Sequence, residues 1–113
     1  MKKFLLKPTE IRVLVPGLGF CFATDQVTVE GHLISYMYRE EPEEGGDSGW
    51  RFFSGMESQN YVDNPSHTSI YDVNTIANYD EGIIPLLDAP QGAVFERTAA
   101  GEWIRVDSDG DKH

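Results

Sequence analysis

The chain has 113 residues, 19 of them acidic against 9 Lys and Arg, and a formal net charge of −10. That balance excludes a nucleic-acid backbone as partner, because such affinity comes from neutralising phosphates with Lys and Arg, and it disfavours an anionic membrane surface for the same reason. A hydrophobic content of 40% with 12% aromatic residues excludes a disordered chain. It fits one domain over residues 1–113 that buries roughly two thirds of its unfolded surface.

The charge is uneven. Residues 1–39 hold five bases and three acids, whereas residues 40–113 hold four bases and sixteen acids. A surface of this kind keeps a protein soluble and speeds encounters with basic partners. Cys21 is the only cysteine, so an intramolecular disulfide and a thiolate zinc cluster are both excluded. It lies in the apolar run Gly19 to Ala23, where a buried, inert thiol is expected.

The opening MKKFLLKPTE has an apolar stretch of only Phe4-Leu5-Leu6 before Lys7 and Pro8, too short for a cleavable signal. With no run of membrane-spanning length, a cytoplasmic protein is expected. Ile11 to Val15 is rich in β-branched residues and predicts a strand, stopped by Pro16-Gly17. A second short strand fits Phe20 to Ala23. Thr24 to Gly31 is ambiguous, because Asp25 suits the cap of a helical turn and Val27-Thr28-Val29 suits extended backbone. Leu33 to Arg39 predicts a strand with aromatic alternation. The acidic, glycine-rich stretch Glu40 to Gly49 predicts an exposed, mobile loop. Trp50 to Ser54 then predicts a strand antiparallel to Leu33–Arg39, with Trp50 and Phe52 on one face and Arg51 and Phe53 on the other.

Residues 56–69 read as irregular, with a turn at Asn64-Pro65. Asp72 is placed to cap a short helix beginning at Val73, on which Val73, Ile76 and Ala77 share one face and Asn74 and Asn78 another. Ile83 to Leu87, interrupted by Pro85, predicts a short helix or turn. Ala93 to Arg97 and Trp103 to Val106 predict a closing hairpin, and residues 107–113 a disordered tail. The expected fold is α+β: a mainly antiparallel sheet of about five strands with one or two short helices on a face.

Few motifs carry chemistry. Asp107 to Asp111 resembles a calcium loop only superficially, since an EF-hand needs Gly at its sixth position and Glu at its twelfth. Gly17-Leu18-Gly19 lacks the third glycine of a dinucleotide fingerprint. His32, His67 and His113 are scattered, with no metal-ligand spacing, so neither metal nor cofactor is expected. Nothing local activates Cys21 as a nucleophile.

Two features stand out. Arg51 is a base among aromatics in the acid-rich part of the chain, and pairing with a carboxylate in the Asp72–Asp80 region is expected. The segment Tyr71 to Asp80 carries two Tyr, two Asp and two Asn around three aliphatic residues, more polar hydrogen-bonding groups than a structural helix needs. Asn74 and Asn78, one turn apart, are expected to present paired amides on an exposed face. Arg51, Tyr71, Asp72, Asn74, Asn78, Tyr79 and Asp80 are therefore the candidate partner-binding residues.

Four blocks in order, Tyr36 to Pro42, Asp47 to Gly55, Ile70 to Asp80 and Ile84 to Leu87, resemble the DUF2185 family of bacterial proteins, also described as Imm33-like immunity proteins. The resemblance spans about residues 20–97. It implies a small intracellular protein of a polymorphic toxin system that binds and neutralises a protein toxin, and it supplies no catalytic residues. Joined to the acidic surface, it predicts non-catalytic occlusion of a basic toxin domain. The alternative is a small ligand-binding domain or enzyme with a Tyr/Asp/Asn/Arg cleft, which requires a deep, closed pocket lined by Arg51, Tyr71 and Asp72.

Overall fold

A computed structural model describes residues 2–107. Six strands form one sheet: β1 (Phe20–Thr24), β2 (Tyr36–Arg39), β3 (Asp47–Phe53), β4 (Thr68–Asp72), β5 (Val94–Arg97) and β6 (Trp103–Arg105), in the order β4-β1-β3-β2-β5-β6. Only the β1–β3 pair is parallel, and the other four neighbouring pairs are antiparallel. The α+β expectation holds. The sheet is mixed rather than purely antiparallel, because β2 forms a hairpin with β3 and β3 then lies alongside β1.

Strand alternation divides the side chains between two faces. Cys21, Ala23, Met37, Trp50, Phe52 and Phe95 point into the core. There they meet Val27 of helix α1 (Asp25–Thr28) and Val73, Ile76 and Ala77 of helix α3 (Val73–Tyr79), with Ile83 and Leu87 from the 3-10 turn Glu81–Leu86 and its cap. A further short helix, α2 (Gln59–Asp63), is capped by Ser58, whose Oγ accepts from the Tyr61 amide at 3.1 Å. The Trp50 indole donates to the Leu87 carbonyl at 3.2 Å, so the largest core side chain is fully satisfied.

Several local expectations are met. Asp72 caps α3, its Oδ1 accepting from the Asn74 amide at 2.8 Å. Trp50 and Phe52 are buried on one face, with Arg51 and Phe53 on the other. The β5–β6 hairpin closes the sheet.

Others are corrected. Residues 11–15 are not a strand but part of an N-terminal strap laid across α3. Residues 56–69, read as irregular, instead hold the helix α2 and end in Thr68 and Ser69, which open the edge strand β4. The acidic loop ends at Gly46, and Asp47, Ser48 and Gly49 are buried at the start of β3. Gly49 is essential there: it has φ +89°, and a Cβ would collide with the Glu40 carbonyl oxygen. The ambiguous stretch after β1 resolves into the single turn α1, with Thr24 rather than Asp25 at its N-cap position. The expectation for the tail, and with it most of the calcium-like stretch, lies outside the described residues beyond Asp107. Asp107 itself accepts from Arg105 Nε at 2.6 Å.

Candidate functional site

Among the described residues, only the short helix α2 reaches the sheet face opposite α3, through Val62. Phe22 of β1, Tyr36 and Tyr38 of β2, and Arg51 and Phe53 of β3 project on this side, with Glu96 of β5 beyond them. The aromatic rings fall into two groups, with Arg51 packed against Phe22. Tyr36, Tyr38 and Phe53 lie 5.6–5.7 Å apart, centroid to centroid, and Phe22 packs edge-on to Phe20 at 6.2 Å. All are partly exposed, and Ile70 on the edge strand is 59% exposed.

Phe53 and Val62 of α2 line two hollows. One is an open groove of ≈ 560 Å³ that also takes in Ser35, Tyr36, Met56, Glu57, Glu96 and Arg97. The other, ≈ 210 Å³, is walled by Phe22, Tyr38, Glu40, Glu43 and Arg51.

Arg51 answers to its own strand and loop, not to the Asp72–Asp80 region. Its Nη1 and Nη2 donate to Asp47 Oδ1 and Oδ2 at 2.9 and 2.8 Å, its Nε donates to Glu40 Oε2 at 2.6 Å, and Nη1 also reaches the Trp50 carbonyl at 3.0 Å. The guanidinium carbon lies 4.4 Å from the Phe22 ring centroid. The sequence distance to Asp47 is four residues, which on a strand returns both side chains to the same face. The guanidinium fork holds the Asp47 carboxyl well below the usual carboxylate range. Tyr38, beside them, has its phenol pushed up by burial and by the Glu40 charge.

The other sequence-chosen residues lie on the α3 side of the sheet or against it, and their polar groups are engaged within the chain. Asp80 is buried, its Oδ2 accepting from Arg97 Nη1 at 2.9 Å and the Ile34 amide at 3.0 Å, its Oδ1 accepting from the Gly82 amide. Tyr71 Oη shares a hydrogen bond with Thr28 Oγ1, and Tyr79 Oη accepts from the Leu6 amide at 3.2 Å.

Asn74 and Asn78 do share one helix face, but that face is covered by the strap. Asn74 Oδ1 accepts from the Leu14 and Val15 amides at 2.7 and 2.8 Å, and Asn78 Oδ1 accepts from the Arg12 amide at 2.9 Å. Both Nδ2 groups donate to the Arg12 carbonyl. The expected free, paired amides are thus a clamp on residues 12–15. Arg51 and Tyr71 line different hollows, so the cleft required by the ligand-binding alternative is not formed between them.

Sequence reasoning passed over Tyr36, Tyr38, Glu40, Glu43 and Phe53 as site residues. The signal for the three aromatics was present in the alternations YMYR and WRFF, which place them on the face that does not carry Met37, Trp50 and Phe52.

Cys21 is buried in the core, and burial, with the nearby Asp72 charge, pushes its thiol well above the ordinary range. An alkylating reagent should leave native Cys21 unmodified at neutral pH and react once the protein is unfolded. Rapid native alkylation would contradict this burial.

Among the described residues, no cluster of three His, Cys, Asp or Glu side chains is arranged to hold a metal, and no helix is long and apolar enough to cross a membrane. No curated protein and no solved structure gives a significant match to the chain. The immunity protein Imm33 domain matches residues 21–107, which takes in every strand from β1 to β6 apart from the first residue of β1. By that match over most of its length, the chain belongs to the Imm33 immunity-protein family.

Proposed function

We propose that this protein neutralises a toxin by non-catalytic occlusion, laying its open aromatic sheet face against a basic region of the toxin domain. The observation that carries this reading is the face itself. It joins Phe22, Tyr36, Tyr38 and Phe53 to the carboxylates of Glu40, Glu43, Glu57 and Glu96 around two hollows. Aromatic side chains enriched at the centre with charge at the rim are the composition of a protein-binding surface. The acidic rim favours a basic partner by complementarity. An immunity protein acts where its toxin would do damage, which agrees with a cytoplasmic site of action.

In this reading Arg51 is the floor of the interface. Tyr71, Asp72, Asn74, Asn78, Tyr79 and Asp80 hold the scaffold that presents it.

The test is the association kinetics with a toxin domain recovered as a binding partner from the native host. Screening weakens steering between exposed charges, so the on-rate should fall on the order of tenfold between low and high salt. Glu96→Lys should lower the on-rate without altering the melting temperature, because its carboxylate makes no ion pair among the described residues. Phe53→Ala should raise the off-rate, costing about 2 kcal/mol of affinity if it is a central anchor. An on-rate indifferent to salt and to Glu96→Lys would refute the docking mode.

A further inference from the structure

The smaller hollow beside Arg51 has a chemistry of its own. At first sight a buried arginine in an aromatic recess suggests an anion receptor. The hydrogen bonds oppose that: four of the five guanidinium N–H groups already donate to Glu40, Asp47 and the Trp50 carbonyl, and two of those acceptors are carboxylates that repel an anion. The guanidinium is paired with two carboxylates, those of Asp47 and Glu40, and Glu43 also lines the hollow, so the three acids of this corner outnumber its one base by two. Arg51 and Asp47 are sealed, with side-chain exposures of 4% and 0%, whereas Glu40 is 44% exposed. The excess negative charge therefore sits at the mouth, on Glu40 and Glu43. Glu43 forms no ion pair among the described residues.

The walls suit a cation equally well. Tyr38 and Phe53 are stacked, with an interplanar angle of 18° and a centroid separation of 5.7 Å, and both line the hollow with Phe22. Aromatic faces attract cations, most strongly where water is partly excluded. A planar guanidinium can lie against such rings while its fork reaches carboxylates, which a compact ammonium does less well. The volume of ≈ 210 Å³ is that of a side-chain pocket, well below the range of drug-sized ligand sites.

We propose that this hollow receives one arginine side chain of the bound toxin, its guanidinium seated against Tyr38 and Phe53 and paired with Glu40 and Glu43. The inference rests on the occlusion reading for the source of the arginine, and on the chemistry of the hollow for its place. Arg51, fixed by Asp47, shapes the floor and keeps Glu40 turned towards the pocket, so it acts as a positioning residue.

The experiment uses the full chain and N-acetyl-arginine amide as probe, with the isosteric, uncharged N-acetyl-citrulline amide as control, each raised to tens of millimolar while aromatic ring signals are followed by NMR. The arginine derivative should shift the Phe22, Tyr38 and Phe53 signals saturably and more than any others, and the citrulline derivative should not. Glu43→Gln and Tyr38→Leu should each weaken this binding, the ring loss on the order of tenfold. Both leave the Arg51–Asp47 pair untouched, and unchanged melting temperatures would confirm that the fold survives. No ring shift, or equal shifts with both probes, would each overturn the inference. If the toxin still binds through the open face while the arginine derivative does not seat, the pocket assignment fails and occlusion stands. If the derivative seats but the toxin does not bind, it is the occlusion reading that fails, and with it the toxin as the source of the arginine.

Discussion

Arg51→Ala should cost about 3–5 kcal/mol of stability in chemical denaturation, because it strips the partner from a buried carboxylate. Asp47 has no exposed side-chain surface and accepts both Nη donors of Arg51. Without them its charge is left in a place where water cannot replace the lost bonds, and Glu40 loses its Nε donor as well. A native domain is stable by only about 5–15 kcal/mol, so a large share of the protein should be unfolded or aggregated on expression.

The pH dependence separates this account from a simple packing defect. In the wild type the folded-state pKa of Asp47 is depressed, so its stabilisation is present above the unfolded carboxylate value of about 3.9 and is lost as pH falls towards the folded value. In Arg51→Ala the carboxyl no longer has that depression, and protonation relieves its burial. The stability gap between wild type and variant should therefore be widest near neutral pH and narrow below about pH 4. A gap of the same size at pH 3 and pH 7 would mean that the arginine matters only through the volume it fills.

The double change Asn74→Ala and Asn78→Ala should destabilise the protein by about 2–4 kcal/mol. The two amides make five hydrogen bonds to Arg12, Leu14 and Val15, and a sixth from Asn78 Nδ2 to the Asn74 carbonyl within α3. At about 0.5–1 kcal/mol each for partly exposed bonds, this outweighs the gain of roughly 1 kcal/mol from two better helix formers. Hydrogen exchange should locate the effect, with the Leu14 and Val15 amides losing protection before those of the sheet. Helix propensity alone predicts the reverse, a neutral or slightly stabilising double mutant. Unchanged stability and protection would return these amides to the surface as groups free to meet a partner.

Local chemistry was enough to place much of this molecule. Asp72 caps α3 because its carboxylate meets an orphan amide two residues on, an interaction that needs no distant contact. The alternation of Trp50, Arg51, Phe52 and Phe53 assigned each side chain to a sheet face because strand geometry has a period of two. The hairpins β2–β3 and β5–β6 join neighbours in sequence, so their pairing followed from the turns between them. Composition was likewise sufficient to anticipate the acidic surface, and the ordered blocks from Tyr36 to Leu87 the family.

What tertiary structure decided were the choices between segments of equal local merit. Ile11 to Val15 has stronger β propensity than Thr68 to Asp72, yet the latter is the strand. The available edge of β1 is filled by β4, and the hydrogen bonds of residues 12–15 go to the amides of Asn74 and Asn78, some sixty residues away. Arg51 had sixteen acids after residue 39 from which to draw. It pairs with Asp47 because extension of β3 back through the glycine-rich stretch puts that carboxylate on its own face, where Gly49 lets the strand pass the Glu40 carbonyl. The site shows the same division. That Tyr36, Tyr38 and Phe53 share a face is a matter of strand period, but that the face is left open depends on α3 and the turn after it both packing on the other side. Which side a helix covers is set by long-range burial, and no short stretch of sequence carries that information.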